Sequence, residues 1–264
     1  MVRAPGAGRR PNPGCDHGAV QLIGHAGLAA SRPGGTHDRA GLDAALSLDL
    51  ARLEVDVARC GDGALVLRHD LLLPSGRSLP DAALAEARAE APGLLTLDEA
   101  VEHLAGRLPL LLDIKHDAVV DALGGWAAGR ADAGLLAVCT DGAAALGHLR
   151  ERAPRMARWR TLPVYAPGPD TGVRRLAACA TRGLFPARLE RLAAEVGAAA
   201  VTVDRWAVTP GLCAAAHRLG LPLTAWTVNH PRTAALMRRR GADYVTTDRP
   251  RLLGAAPRAA HGLG

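Results

Sequence analysis

Eight short strand-like runs, all but the last followed by a stretch with helical spacing, constrain this chain more than any other feature of its sequence. The runs cover residues 19–25, 53–57, 108–115, 134–139, 155–160, 199–203, 221–228 and 243–246. The first run, and the third until its last turn, are continuously apolar rather than alternating, the pattern of strands covered on both faces. Helical patterns fall between them at 39–50, 81–90, 96–105, 119–130, 142–151, 172–180, 185–196, 210–219 and 231–240. Local signals support several of these: Thr96 and Glu99 form a capping box, Pro231 opens a helix and Gly241 closes it. Residues 162–172 read as a Pro/Gly-rich loop. This alternation predicts an α/β fold of the (β/α)8 TIM-barrel type rather than an open sheet. No Gly-x-Gly-x-x-Gly or phosphate-loop pattern opens any helix, which argues against a nucleotide-binding sheet.

A length of 264 residues suits one such barrel. The barrel domain is expected over residues 19–253, between disordered tails at 1–18 and 254–264. The first tail is rich in Pro, Gly and Arg but has no apolar core behind its charges, so it does not read as a secretory signal, and a cytoplasmic protein is expected. No apolar run approaches the roughly 18 residues of a membrane-spanning helix, so no transmembrane segment is expected. Five scattered cysteines without a Cys-x-x-Cys pair indicate free thiols rather than a disulfide framework or a zinc site. The formal charge of +6 is spread along the chain and aromatics make up only 3%, so nucleic acid is not an expected partner. The oligomeric state is left open.

The charged residues that interrupt the apolar runs carry the chemistry. Side chains alternate along a strand, so Glu54 and Asp56 share one face while Leu53, Val55 and Val57 take the other. Gly61-Asp62-Gly63 then turns the chain into Leu65-Val66-Leu67, a hairpin insertion after the second strand that delivers His69 near the same end. His25 ends the first run between small neighbours. Asp113 and Lys115 end the third, on one face, and Lys115 is the only lysine in the chain. An ammonium differs from a guanidinium as a compact, tunable charge, which suggests that this position requires it. A mutual ion pair closing the strand is the competing reading for Asp113 and Lys115. Active sites of such barrels form at the carboxyl ends of the strands, where all these residues fall. An acid pair beside histidine suits a hard divalent cation with a proton-transfer partner.

The motifs His25-Ala26-Gly27, Leu53-Glu54-Val55-Asp56-Val57 with Asp62-Gly63, His69-Asp70, Leu95 to Glu99, Leu112-Asp113-Ile114-Lys115, Ala225 to Asn229 and Gly241 to Pro250 occur in one order. Together this set resembles the glycerophosphodiester phosphodiesterase family, a family of TIM-barrel enzymes. The resemblance implies that Glu54, Asp56 and Asp113 hold one divalent cation, Mg²⁺ or Ca²⁺ with Mn²⁺ also suitable. It implies His25 and His69 as the acid/base pair, and a phosphodiester as the small-molecule substrate, cleaved to an alcohol and glycerol 3-phosphate. Trp226 would wall the pocket. The chain departs from the family in three places. Ala26 stands where an Arg is usual, Gly34 and Gly35 replace a Glu-Asn pair, and Asp113 replaces a Glu. Loss of the Arg removes a phosphate clamp, and Lys115 is placed to take over part of that role by binding substrate. The shorter third carboxylate resembles the sphingomyelinase D relatives, which adds lysophospholipid-like phosphodiesters to the alternatives. A degenerate barrel that binds phosphate-containing ligands with weak or no catalysis is another. Asn229 and Asp248 receive no role, and His37, His103, His116, His148, His217, His230 and His261 are expected at exposed positions.

Overall fold

A computed structural model describes residues 20–31, 37–163 and 172–258. The expected tail at 1–18, the loop residues Gly34 and Gly35, and His261 lie outside the described residues. Nine strands form one sheet in the order β1-β9-β8-β7-β6-β5-β4-β2-β3, and β1 also pairs with β2, so the sheet closes. The closing strands are β1 (Gln21–Gly24), β2 (Arg52–Arg59), β4 (Leu110–Ile114), β5 (Leu136–Thr140), β6 (Ala157–Thr161), β7 (Ala200–Asp204), β8 (Leu223–Trp226) and β9 (Tyr244–Thr247). All eight run parallel to their barrel neighbours. β3 (Leu65–Leu67) is the exception, returning antiparallel along β2 with Val57 opposite Leu67. This is the (β/α)8 TIM barrel with its hairpin after the second strand.

Two apolar layers result from the alternation of side chains along the strands. Outward residues such as Leu53, Val55, Leu110 and Leu112 join the helices in the main core. Inward residues Ile23, Leu111, Ala137, Cys139, Trp159 and Ala200 fill the barrel, with Tyr244 against them. Trp159 and Tyr244 pack with ring centroids 5.9 Å apart, and the Arg52 guanidinium lies 5.4 Å from the Trp159 centroid. A third cluster, including Ala58, Val66, Leu79 and Leu94, sits beneath the hairpin.

The helices follow their sequence signals, with shifts at the ends. The first, α1 (Arg39–Leu46), is shorter than its periodic pattern because Ser47 caps it, and its N-cap Asp38 accepts from Gly41 N. The pattern at 81–90 divides into a 3-10 turn, Leu79–Asp81, and α2 (Leu84–Glu90). In α3 (Leu97–Leu104) the Thr96/Glu99 capping box forms as expected. The others are α4 (Val120–Ala128), α5 (Ala143–Arg152), α6 (Gly172–Thr181), α7 (Phe185–Val196), α8 (Pro210–Arg218) and α9 (Pro231–Arg240). Among the described residues no helix is long and apolar enough to cross a membrane.

Residues beyond the expected boundary at 253 make contacts with the barrel. Pro257 bridges to Leu48, Arg258 N donates to Ser47 O at 2.9 Å, and Arg258 Nη1 donates to Arg107 O at 2.8 Å. The chain past 253 is therefore packed against the domain as far as Arg258. Composition alone suggested a tail because these contacts are made by backbone groups and by an Arg, none of which leaves an apolar periodicity.

Candidate active site

The register of β2 against β4 sets the centre of the site. Asp56 pairs with Asp113, and Glu54 with Leu111, so the carboxylates of adjacent strands point into the barrel at nearly one level. Glu54, Asp56 and Asp113 each offer an oxygen within 4.8 Å of the others. Glu54 and Asp56 are buried, whereas Asp113 is half-buried. Buried carboxylates need compensation, because desolvation and mutual repulsion both oppose their charge. Burial, followed by the charge of Asp56, pushes the Glu54 carboxyl up to about 8.

Lys115 supplies part of the compensation. Its Nζ lies 2.8 Å from Asp113 Oδ2 and 2.7 Å from Asp56 Oδ1. The ion pair that sequence reasoning set against a functional role is thus real, but it bridges two strands rather than closing one. The approach to Asp56 has the distance of an ion pair without the angles of a hydrogen bond, and among the described residues neither Asp56 carboxylate oxygen has a hydrogen-bond donor.

Beneath Asp56 lies a residue that sequence reasoning placed at the surface. His37 is wholly buried, and its Nε2 accepts the Asp56 backbone N–H at 2.9 Å. The same nitrogen is 3.4 Å from Asp56 Oδ2. Burial works against an ionised Asp56. Because the His37 lone pair is already taken by the amide, it is the Lys115 ammonium that holds the carboxyl well below the usual range. His37 Nδ1 is buried without a partner among the described residues. His37 stands just before α1, where no periodic signal reports burial.

His25 sits at the carboxyl end of β1. Its Nδ1 lies 2.6 Å from Asp248 Oδ1, and its Nε2 lies 3.9 Å from Glu54 Oε2. An ionised carboxylate only accepts, so Nδ1 carries the proton and Nε2 faces the cluster. Asp248 is itself held: Asn229 Nδ2 donates to Oδ2 at 2.5 Å, while Asn229 Oδ1 accepts from Asp248 N and Thr247 Oγ1. Burial lowers the His25 pKa, but the Asp248 hydrogen bond and the charge of Glu54 more than offset it and raise it to about 9. Asp248 and Asn229 are therefore parts of the site that sequence reasoning passed over. Both lie in the segments that carry the family resemblance, and that was the available signal.

The turn after β1 tightens this geometry. Ala26 N donates to Glu54 Oε2 at 2.7 Å, so the residue that replaces the family's usual Arg anchors a carboxylate through its backbone. Gly27 has φ +60° and lies against the His37 ring. A Cβ on Gly41 would stand 2.3 Å from Gly27 O, so the glycine is what lets α1 approach this turn.

The structure does not join every expected residue to the cluster. His69 follows β3 with half of its side chain exposed, and its only partner among the described residues is Asp70, at 2.8 Å from Nδ1. Trp226 ends β8 in register with Asp204 and is half-buried. Three other histidines expected to be free have acidic partners: His103 with Asp43, His148 with Asp121 and His217 with Asp243. These lie on helices or at helix ends, and they link elements rather than line the site.

The donor set fits a divalent cation. It is all oxygen, as hard ions prefer, with two of its members buried and with Asp56 oxygens that have no hydrogen-bond donor among the described residues. A closed barrel that gathers this donor set and an aspartate-held histidine at its strand ends has the architecture of a barrel enzyme, with groups suited to holding a divalent cation and to proton transfer. The chain belongs to the glycerophosphoryl diester phosphodiesterase family, whose pattern matches residues 109–252, and its class of reaction is the hydrolysis of phosphoric diesters. No curated protein matches the chain.

Solved structures share the fold. The glycerophosphodiester phosphodiesterase of Thermotoga maritima is 21% identical with a TM-score of 0.66, over 87% of this chain and 94% of its own. That of Parabacteroides distasonis is 19% identical with a TM-score of 0.69, over 88% and 94%. An Oleispira antarctica phosphodiesterase, solved with the product sn-glycerol-3-phosphate, is 20% identical with a TM-score of 0.66, over 88% and 94%.

Proposed function

We propose that this protein hydrolyses glycerophosphodiesters, or closely related small phosphodiesters, to an alcohol and glycerol 3-phosphate with the help of one divalent cation. Glu54, Asp56 and Asp113 would hold the cation, of which Mg²⁺, Ca²⁺ and Mn²⁺ suit the oxygen donors. Bound there, it would neutralise phosphoryl oxygens and lower the pKa of an attacking hydroxyl. The observation that carries the reading is the pairing of His25 Nδ1 with Asp248, which leaves Nε2 directed at the carboxylate cluster.

His25 and His69 each engage an aspartate through Nδ1, His25 beside the cluster and His69 at a more exposed position after β3, and in each Nε2 is the nitrogen left for proton transfer. Two imidazoles so held can serve as base in one step and acid in the next, exchanging roles as a leaving oxygen is protonated and a water or hydroxyl is deprotonated. Asp248 keeps His25 in the required tautomer, and Asn229 keeps Asp248 in place. Lys115, facing Asp56 and Asp113, adds a positive charge for the substrate phosphate in a site where Ala26 gives no guanidinium. Trp226 would form part of the wall on the β8 side. Residence in the cytoplasm is part of this proposal.

The test is turnover by the purified protein, first stripped with chelator and then given Mg²⁺, Ca²⁺ or Mn²⁺ in turn. Glycerophosphodiesters and lysophospholipids form the substrate panel, with products followed by ³¹P NMR. Metal-dependent release of glycerol 3-phosphate is expected. No turnover of any substrate with any of the metals would refute the proposal.

A further inference from the structure

A second concentration of charge shares no residue with the carboxylate cluster. Between α6, α9 and the turn after β7 lies a cavity of about 230 Å³ lined by Arg175, Arg182, Arg205, Arg240, Trp206 and Met237, among others. Among the described residues no carboxylate lines it. The Arg175 and Arg205 guanidinium carbons lie 4.4 and 5.0 Å from the Trp206 centroid. Arg240 Nη1 donates to Val208 O at 2.8 Å, and Arg205 Nη1 to Thr227 O at 3.0 Å, so two of the four cations are fixed by backbone carbonyls.

The arrangement differs from other arginines of this chain. Arg77, Arg88 and Arg130 each meet a carboxylate at 3.0 Å or less. Arg175, Arg182 and Arg240 form no ion pair among the described residues. Guanidinium groups brought around one cavity repel one another, and each offers several donors in a planar fork that matches phosphate oxygens. An anion is what such an array lacks. The cavity is smaller than the roughly 300–1,000 Å³ of sites for drug-sized ligands, which limits the occupant to a small molecule.

We propose that this cavity binds a small phosphate dianion, with its oxygens among Arg175, Arg182 and Arg240 and any short organic part against Trp206 and Met237. Free inorganic phosphate and a phosphomonoester such as glycerol 3-phosphate present the same group, and affinity separates them.

The experiment is isothermal titration of the full-length, chelator-treated protein with inorganic phosphate and, separately, with glycerol 3-phosphate, at ionic strength held constant with chloride. Arg175→Ala/Arg182→Ala replaces two exposed side chains on and just beyond α6. Arg240→Gln is a second, independent variant, and Lys115→Met removes the cation of the carboxylate cluster. Saturable binding by the wild type is expected. It should weaken at least tenfold in the double variant and in Arg240→Gln, and change less than twofold in Lys115→Met. The tighter of the two ligands identifies the source of the phosphate, and either ranking supports the site. The proposal is overturned if neither ligand binds above the chloride control, or if the arginine variants bind like wild type. It is equally overturned if Lys115→Met alone abolishes binding.

Discussion

Replacing His37 by Leu tests whether a residue outside the reacting groups holds the site together. The imidazole is wholly buried and is the hydrogen-bond acceptor for the Asp56 amide at 2.9 Å. Leucine fills a similar space but accepts nothing, so the buried N–H is left unsatisfied at a cost of about 1–3 kcal/mol. In a domain of this size each kcal/mol lowers the melting temperature by about 2–4 °C, so a fall of about 2–12 °C is expected. The amide belongs to a residue of the carboxylate cluster, and activity should fall by more than the lost stability explains at a temperature where the variant is fully folded. His37→Gln, whose side-chain oxygen reaches toward the position of Nε2, should recover much of both losses. Thermal unfolding by circular dichroism together with kcat and KM measures the outcome. If His37→Leu melts within a degree of wild type, or if Leu and Gln are equally damaging, the hydrogen bond to Asp56 is not what His37 contributes.

Asp248→Asn keeps the shape but removes the carboxylate that holds His25 Nδ1–H, so kcat should fall about 10²-fold or more with little change in melting temperature, as steady-state kinetics would show. In the chelator-treated protein the folded state binds protons more tightly than the unfolded chain at Glu54, raised to about 8, and at His25, raised to about 9. Both contributions to stability are complete below the unfolded pKa values and are lost as pH rises through the folded ones. The melting temperature of the metal-free protein should therefore decline between about pH 5 and 9. Glu54→Gln should flatten that decline, and a melting temperature that climbs across the window would contradict the assignment. Gly41→Ala places a Cβ 2.3 Å from Gly27 O, so urea denaturation should show a loss of about 1–3 kcal/mol, and the displaced turn should lower activity through His25.

The barrel was legible because its strands and helices are each announced locally. Apolar runs such as 108–115 and 221–228 are read from neighbouring residues, and so is the Thr96/Glu99 capping box. Glu54, Asp56 and Asp113 stood out for a related reason: carboxylates inside runs otherwise built for burial conflict with their surroundings, and the conflict is visible in one dimension. Lys115 stood out as the only lysine. His37, Asp248 and Asn229 carried no such conflict. Each lies in a polar or turn-rich stretch where a solvated side chain is the ordinary expectation, and only the closing of β9 onto β1 places Asp248 beside His25.

Sequence alone thus determined the period and number of the barrel elements, the hairpin on β2 and the presence of three carboxylates at strand ends, since all of these are properties of short stretches. Tertiary structure decided what each donor faces. The register of β2 against β4 sets Asp56 beside Asp113 and brings Lys115 across to both, a relation between residues far apart in the chain. The packing of α1 against the turn after β1 buries His37 under Asp56, while the end of the hairpin leaves His69 paired, among the described residues, with its neighbour Asp70. The arginine-lined cavity likewise depends on α6 and α9 being brought together, which no local pattern in either helix records.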